Sequence, residues 1–265
     1  MKKLGFIGCG NMAKAIMGGI VGKGILKPDE LIASDAFHPM LEEAKKVYGI
    51  DVTDSNREVA KGSEILLLAV KPQYYETVIR EIADAIRPEQ IVITIAPGKS
   101  LAWLTEKFGR EVKLVRTMPN TPAMVLEGMT AVTPNNLLSE EELGRVLALL
   151  GSFGKTEVVS EHLMDVVTSV SGSSPAYVFL FIEAMADAAV ADGMSRAQAY
   201  KFAAQAVYGS AKMVLETGRH PADLKDMVCS PGGTTIEAVR VLEEKGLRSA
   251  IFEAMKACTK KSASM

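Results

Sequence analysis

Apolar and polar positions divide the 265-residue chain into two parts of different character. In the first part, short apolar runs without alternation are followed by segments whose apolar residues recur every three or four positions. The clearest runs cover residues 65–70, 91–96 and 112–117. Unbroken apolar runs are typical of parallel strands buried on both faces, and the periodic segments between them predict crossover helices. We therefore expect an α/β domain with a doubly wound sheet.

From Glu161 onward the sequence shows only helical periodicity, with many alanines and methionines. This change predicts two domains, residues 1–159 and residues 160–265, of which the second is all-helical. Residues 178–191 are apolar on most sides, and about 100 residues of helix enclose little of such a surface on their own. We expect the second domain to form a homodimer. The alternative is that this helix packs back on the first domain.

Composition and charge exclude several classes of protein. The formal net charge is −2, which gives no electrostatic basis for binding nucleic acid. Residues 176–191 carry Glu183 and Asp187 and fall short of about 18 uncharged residues, so we expect no membrane span. The N-terminus lacks the apolar core of a secretory signal, which favours the cytoplasm. The three cysteines have no metal-ligand spacing, so we predict a reducing compartment and no metal site.

The opening residues, 2–13, carry the first candidate chemistry. An apolar strand leads to Gly8 and Gly10, and a helical pattern begins near Ala13. With Asp35 at the end of a second apolar run, this is the pattern of a Rossmann-like dinucleotide-binding domain, in which the helix amides hold the pyrophosphate. The alternative is a tight glycine turn in some other α/β sheet.

Other candidate residues follow from the position of the strand ends. In open α/β sheets, ligands bind beyond the carboxyl ends of the strands. Turns after residues 31–34, 65–70 and 91–96 should therefore share one edge with the glycine turn. The predicted cofactor-binding residues on this edge are Gly8, Gly10, Asn11, Met12, Ala13, Ser34, Asp35, Ala69, Val70, Lys71, Pro72, Ala96 and Pro97.

Two polar segments interrupt the apolar helices of the second part. We call residues 169–176 the serine-rich segment and residues 229–238 the glycine-threonine segment. Small residues allow close approach to the backbone, and free amides at a helix start bind anions such as a substrate carboxylate. The alternative is that both are loop punctuation, with Thr234 as a helix N-cap.

The order and spacing of five motifs resemble the pyrroline-5-carboxylate reductase family. They are the glycine turn, the strand end at residues 69–72, residues 116–122, residues 171–176 and residues 220–239 with their core Ser-Pro-Gly-Gly-Thr-Thr. The last motif is the most specific, and the resemblance extends over the whole chain. It implies reduction of the cyclic imine 1-pyrroline-5-carboxylate to L-proline with NADPH or NADH, the last step of proline synthesis.

The resemblance also implies roles for residues. Thr235 would be catalytic, offering its hydroxyl to the imine nitrogen, while backbone amides at the start of the helix hold the carboxylate. Asn56 matches a position that contacts the 2′-phosphate end of the cofactor. The pocket would lie at a dimer interface, and whether dimers assemble further stays open. The implied substrate-binding residues are Ser171, Gly172, Ser173, Ser230, Gly232, Gly233, Thr234 and Thr235.

Cofactor preference stays open between NADP and NAD. A carboxylate at Asp35 suits a ribose hydroxyl and repels a 2′-phosphate, whereas a strand end shifted by one residue would place Ser34 at the ribose. Pro97 departs from the small residue usual in the family.

Two other functions remain as alternatives. A β-hydroxyacid dehydrogenase needs a helix lysine in its second domain, and no lysine occurs between Lys155 and Lys201. A non-catalytic dinucleotide sensor would bind NADH without reducing an imine.

Overall fold

The computed structural model describes residues 1–264 and contains one eight-stranded sheet. The strand order is β3-β2-β1-β4-β5-β6-β7-β8, with all neighbours parallel except β6 and β7. This confirms the predicted doubly wound sheet. The strands are β1 (Lys2–Ile7), β2 (Leu31–Ser34), β3 (Asp51–Thr53), β4 (Ser63–Leu68), β5 (Ile91–Thr94), β6 (Lys113–Met118), β7 (Gly128–Pro134) and β8 (Gly154–Val158).

Helices cover both faces of the sheet, which explains why the central strands are apolar without alternation. Leu66, Leu67 and Leu68 of β4 are all buried, although they point alternately to opposite faces. One face packs against the core that contains Phe6, and the other against the core that contains Tyr75. The helices of this part are α1 (Asn11–Gly22), α2 (His38–Tyr48), α3 (Asn56–Gly62), α4 (Tyr75–Ile82), α5 (Leu101–Phe108) and α6 (Glu140–Leu150).

Strand β7 is the main element that the sequence patterns did not predict. It follows a 3₁₀ turn at Thr121–Val125 and runs antiparallel to β6, so the chain reverses without a crossover helix. Its partner β8 then pairs with it in parallel fashion, after helix α6. The unbroken apolar runs of the central strands have no counterpart in β7, because threonines at positions 130 and 133 interrupt its apolar residues.

The remainder of the described chain is helical, as predicted. No strand occurs in residues 161–264. Helix α7 (Met164–Val167) continues through a π-helical turn (Thr168–Gly172) into α8. The other helices are α8 (Ser174–Ala191), α9 (Arg196–Thr217), α10 (Pro221–Val228), α11 (Thr234–Glu244) and α12 (Leu247–Ser262).

The chain forms two compact units whose limits differ from the predicted domains. The first unit is Met1–Ser173 together with the residues from Cys258 onward, and the second is Ser174–Ala257. The first unit therefore contains the sheet, the start of the helical part and the end of helix α12. The domain boundary between residues 159 and 160 stays a prediction. The chain passes from the first compact unit to the second after Ser173 and returns to the first after Ala257.

Much of the apolar surface of the second unit is exposed in the single chain. Phe179 is 62% exposed and Leu180 is 67% exposed, while Ala186 is the one buried residue of α8. By length and composition alone, residues Glu161–Ala191 would be able to cross a membrane, with a mean hydropathy of 1.4. An exposed apolar surface of this kind marks a site of contact with a partner protein or with a membrane.

Candidate active site

The glycine turn after β1 requires glycine at its first position. Gly8 has a φ of 103°, and a Cβ atom placed there would lie 2.7 Å from the carbonyl oxygen of Ala69. Its amide donates to the carbonyl of Ser34 at 2.7 Å, and the amide of Ala69 donates to Ile7 at 2.8 Å. The turn is thus fixed against the carboxyl ends of both neighbouring strands, β2 and β4.

Gly10 has a different role, because space beside it is open. It is the N-cap of α1 with extended backbone and no side-chain cap, and a Cβ atom there would meet nothing within 4 Å. The first intrahelical bond runs from Lys14 to Gly10, so the amides of residues 11–13 have no acceptor within the helix. An uncapped helix start beside an open space fits the pyrophosphate of a dinucleotide.

Asp35 is turned toward the glycine turn. Its Oδ2 atom accepts a hydrogen bond from the amide of Cys9 at 2.7 Å, and its Oδ1 atom accepts one from the amide of Phe37 at 2.8 Å. Both carboxylate oxygens therefore hold backbone, although each keeps a lone pair for a further donor. The predicted contact of Asp35 with a ribose stays a prediction.

Ser34 supports Asn56. Ser34 is the last residue of β2 and is completely buried, and its hydroxyl donates to Oδ1 of Asn56 at 2.8 Å. Asn56 begins helix α3, and its Nδ2 donates to Glu81 at 2.8 Å. The half-buried Asn56 is the member of this pair that has surface to offer a ligand.

Cys9 lies inside the glycine turn but is chemically quiet. It is completely buried, and burial, followed by the nearby Asp35 carboxylate, raises the pKa of its thiol to about 12. Because the thiolate is the nucleophile, the thiol of Cys9 is unreactive at neutral pH.

Tyr75 joins the carboxyl ends of β4 and β5, and the sequence patterns gave it no role. Its hydroxyl donates to the carbonyl of Leu68 at 2.6 Å and accepts from the amide of Ile95 at 3.3 Å. The side chain is completely buried, and burial raises the pKa of its hydroxyl above the ordinary range. It fixes the strand ends that precede the predicted cofactor residues, which are Ala69, Val70, Lys71, Pro72, Ala96 and Pro97.

A partly buried ion pair connects the sheet with the start of the helical part. Arg116 of β6 is 8% exposed, and its Nη1 lies 3.0 Å from Oε1 of Glu161. The same oxygen accepts from the amide of Leu101, the first residue of α5, at 2.7 Å. Glu161 therefore joins the start of α5 to β6. An arginine within an apolar strand is the sequence signal for such a pair.

The serine-rich segment begins with the π-helical turn. Ser171 donates its hydroxyl to the carbonyl of Val167 at 3.2 Å, and back-bonding of this kind loosens regular helices. The carbonyl of Ser171 accepts from Nδ2 of Asn120 at 3.0 Å. Gly172 lies so close to Met118 that a Cβ atom there would be 2.6 Å from its Cε atom. These contacts bring Ser171, Gly172 and Ser173 to the carboxyl end of β6.

The glycine-threonine segment lies in the second unit and ends in an open helix start. Gly233 is the N-cap of α11 and has no side-chain cap, so the alternative of Thr234 as the N-cap is wrong. The amide of Gly233 donates to the carbonyl of Ser230 at 3.0 Å, while Gly232 takes a φ of 68°. Thr234 and Thr235 therefore supply the free amides of this start.

Ser171, Gly172 and Ser173 belong to the first compact unit, whereas the glycine-threonine segment belongs to the second. A common pocket formed by Ser171 and Thr235 stays a prediction. Within residues 1–264, no group of three or more His, Cys, Asp or Glu side chains is placed to hold a metal ion.

Two family models match the chain. Residues 161–265 match the model described as pyrroline-5-carboxylate reductase dimerisation. Residues 3–98 match the model described as NADP oxidoreductase, coenzyme F420-dependent. The predicted dinucleotide-binding part therefore matches a family of NADP oxidoreductases, and the predicted dimerising part matches a dimerisation family.

Relatives match over nearly the full length. Pyrroline-5-carboxylate reductase of Escherichia coli (strain K12) is 54% identical over 261 residues, which are 98% of this chain and 97% of that protein. A solved pyrroline-5-carboxylate reductase from Coxiella burnetii has a TM-score of 0.93 at 32% identity, covering 99% of this chain and 98% of its own. The Plasmodium falciparum pyrroline carboxylate reductase, solved with NADP bound, has a TM-score of 0.90 at 33% identity, covering 99% and 97%.

Proposed function

The chain belongs to the pyrroline-5-carboxylate reductase family, and on that premise we propose that it reduces 1-pyrroline-5-carboxylate to L-proline with NADPH. The reaction completes proline biosynthesis. The identity of 54% over 98% of the chain is the observation that carries the proposal. It fits the oxidoreductase class, because reduction of a C=N bond adds a hydride to the imine carbon and a proton to the nitrogen.

We propose that the glycine turn holds the dinucleotide. The uncapped start of α1 at Gly10 suits the pyrophosphate, and Gly8 keeps the turn in contact with the strand ends. When bound, the reduced nicotinamide supplies the hydride. Residues 69–72, 96 and 97 border the carboxyl edge at which this ring is expected.

The hydrogen bonds of Asp35 make its position compatible with NADPH. Both of its carboxylate oxygens accept backbone N–H groups, so this charge is already partly satisfied when the cofactor arrives. Repulsion of a 2′-phosphate is accordingly weaker than an exposed carboxylate would cause. Asn56 is the proposed contact of that phosphate, and the P. falciparum relative was solved with NADP bound.

We propose that the second unit binds the imine. The open start of α11 suits the substrate carboxylate through the amides of Thr234 and Thr235, whereas the amide of Gly233 is already engaged by Ser230. The hydroxyl of Thr235 donates to the imine nitrogen and so favours the developing amine. We also propose that Ser171, Gly172 and Ser173 of the serine-rich segment bind the substrate.

The protein is a homodimer, since its second part matches the dimerisation family. We propose that the partner covers the exposed apolar face of α8, so that residues 161–191 serve assembly and not membrane insertion. On this proposal the enzyme works in the cytoplasm, where its substrate is a small soluble imine. Assembly of dimers into larger particles stays a prediction.

The test is oxidation of NADPH and of NADH at 340 nm with and without 1-pyrroline-5-carboxylate. We expect oxidation that depends on the imine and is faster with NADPH. A protein that binds NADPH but leaves the imine unchanged would instead be a dinucleotide sensor. If the protein instead oxidises a 3-hydroxyacid with NADP as the hydride acceptor, the result would favour the β-hydroxyacid dehydrogenase alternative.

The role of Thr235 is tested by a matched pair of variants. Thr235→Ala removes the hydroxyl and should lower kcat by about tenfold or more. Thr235→Ser keeps the hydroxyl and should retain most of the turnover. If Thr235→Ala keeps the wild-type turnover and substrate affinity, the proposed hydrogen bond is wrong.

A further inference from the structure

The final turn of α12 is bound to the serine-rich segment within the first unit. Thr259 donates its hydroxyl to Oγ of Ser169 at 2.9 Å. One residue earlier, Sγ of Cys258 lies 3.3 Å from Oγ of Ser173. These contacts join residues about 90 positions apart in sequence, so they are tertiary and not local.

A third contact extends the same face by one turn. Ser262 donates its hydroxyl to Oδ1 of Asp165 at 2.7 Å. Ser262 is 4% exposed and Ser169 is 1% exposed, so both hydroxyls are shielded from water. Since buried hydroxyls without partners are costly, these side chains specify one arrangement of the two helices.

The segment that α12 contacts is irregular. In the π-helical turn, the amide of Ser173 donates to the carbonyl of Thr168 at 2.8 Å, five residues earlier. Such turns are rare and need support from surrounding structure. On its other side, the same turn is held by Asn120 through the carbonyl of Ser171. The π-helical turn is therefore held between the end of β6 and the end of α12.

We propose that Thr259 and Ser262 are positioning residues for the substrate-binding serines. They hold Ser169 and Asp165, and through these the π-helical turn that orients Ser171 and Ser173. The inference rests on the proposed function, because it assigns the serine-rich segment to the imine. It adds the last turn of α12 to the parts of the molecule that determine substrate affinity.

The proposal predicts different effects on the affinities for the two ligands, the imine and NADPH. A general loss of structure would lower both affinities together. The glycine turn is held by hydrogen bonds to the ends of β2 and β4, and the strand end before residues 69–72 is held by Tyr75. These supports of the cofactor edge come from the sheet and from α4 rather than from α12. Loosening the π-helical turn should therefore weaken affinity for the imine and leave affinity for NADPH unchanged.

The test uses the full-length protein with Thr259→Val, which keeps the shape and removes the hydroxyl. Loss of one buried hydrogen bond should raise the Michaelis constant (KM) for the imine by about fivefold. Backbone amides of residues 168–173 should exchange with deuterium about fivefold faster, as measured by mass spectrometry. Thr259→Ser restores the hydroxyl and should return both quantities toward wild type.

Lys260→Ala is the matched control on the same turn, because Lys260 is exposed. It should change neither the KM for the imine nor the exchange of residues 168–173. The proposal is overturned if Thr259→Val lowers the melting temperature while both the KM for the imine and this exchange stay at wild-type values. It is equally overturned if the KM values for the imine and for NADPH rise together.

Failure of the proposed function gives a different result. If wild-type protein does not reduce the imine, the proposed function fails and the assignment of the serine-rich segment to a substrate fails with it. Faster deuterium exchange of residues 168–173 in Thr259→Val would then show that α12 stabilises the π-helical turn without a role in catalysis. If the wild type is active and Thr259→Val behaves as wild type in both measurements, the positioning role alone fails.

Discussion

The two compact units bury their apolar residues in different ways. In the first unit, the central strands are enclosed by helices of the same chain, and Leu66, Leu67 and Leu68 are at most 1% exposed. In the second unit, the equally apolar α8 leaves Phe179 and Leu180 more than half exposed. The first unit completes its own core, whereas in our proposal the second completes its core in the homodimer. Apolar composition therefore shows that a surface needs cover, but not which chain supplies it.

The largest effect should come from a charge on the exposed face of α8. Leu180→Asp would bury an unpaired carboxylate in the dimer, which costs about 3–5 kcal/mol. We expect the dimer to weaken by more than about 100-fold, as measured by analytical ultracentrifugation.

Val47→Asp is the control, because Val47 of α2 is 60% exposed but lies in the first unit. It should remain a dimer of wild-type affinity. If Leu180→Asp also stays dimeric, the face around Leu180 is not the interface and the comparison between the units needs another explanation.

A pair of glycine variants tests whether the first unit is complete by itself. Gly8→Ala forces a Cβ atom against the carbonyl of Ala69 at a positive φ and should cost about 2–3 kcal/mol of stability. Gly10→Ala has room for its methyl group and should melt as wild type does.

Both variants should bind NADPH at least about tenfold more weakly, measured by fluorescence titration, because Gly8→Ala distorts the turn and Gly10→Ala places a methyl group where the pyrophosphate approaches the backbone. Equal affinity of Gly10→Ala and wild type would mean that the cofactor does not lie against the start of α1.

A smaller effect concerns the reactivity of thiols in the two units. In the monomeric Leu180→Asp protein at pH 8.5, iodoacetamide should label half-buried Cys229 and leave Cys9 unmodified, as peptide mass spectrometry would detect. Because the pKa of Cys9 is raised in the folded protein, this thiol also makes stability depend on pH. The stability that it contributes is complete below the pKa of the unfolded thiol and is lost as the pH rises toward about 12. Labelling of Cys9 before Cys229 would contradict the closed core of the first unit.

The smallest effect should come from Thr130, whose buried hydroxyl in β7 has no hydrogen-bond partner within the described residues. Thr130→Val replaces that hydroxyl by a methyl group of similar size. We expect it to raise the free energy of unfolding by about 1 kcal/mol, measured in urea. A loss of stability would show that this hydroxyl makes a stabilising hydrogen bond.

The sheet was predictable because its signals are local. Unbroken apolar runs located β4, β5 and β6 within a few residues, and Gly8 and Gly10 located the turn. Strand β7 was not predicted, since its threonines weaken the apolar run and its antiparallel direction follows from a 3₁₀ turn without a helix signal.

The supporting contacts of the candidate site were less predictable. Tyr75, Glu161 and Thr259 act through partners 20 or more positions away, and no periodicity records such pairs. The family resemblance supplied the motifs around Arg116 and Thr235, but not the hydrogen bonds that hold them. Limits of the compact units also depend on the tertiary contacts of α12, which sequence patterns do not contain.

The return of α12 to the first unit has a consequence for the order of events during synthesis. A nascent chain emerges from the ribosome N-terminus first, so β1 to β8 and the π-helical turn are available long before Thr259 and Ser262. Synthesis of the first unit thus begins before that of the second, but its residues from Cys258 onward are made after the whole second unit. A protein truncated before Cys258 would leave the hydroxyl of Ser169 without its donor. We expect synthesis of the last turn of α12, and not completion of the sheet, to complete the support of the substrate-binding serines.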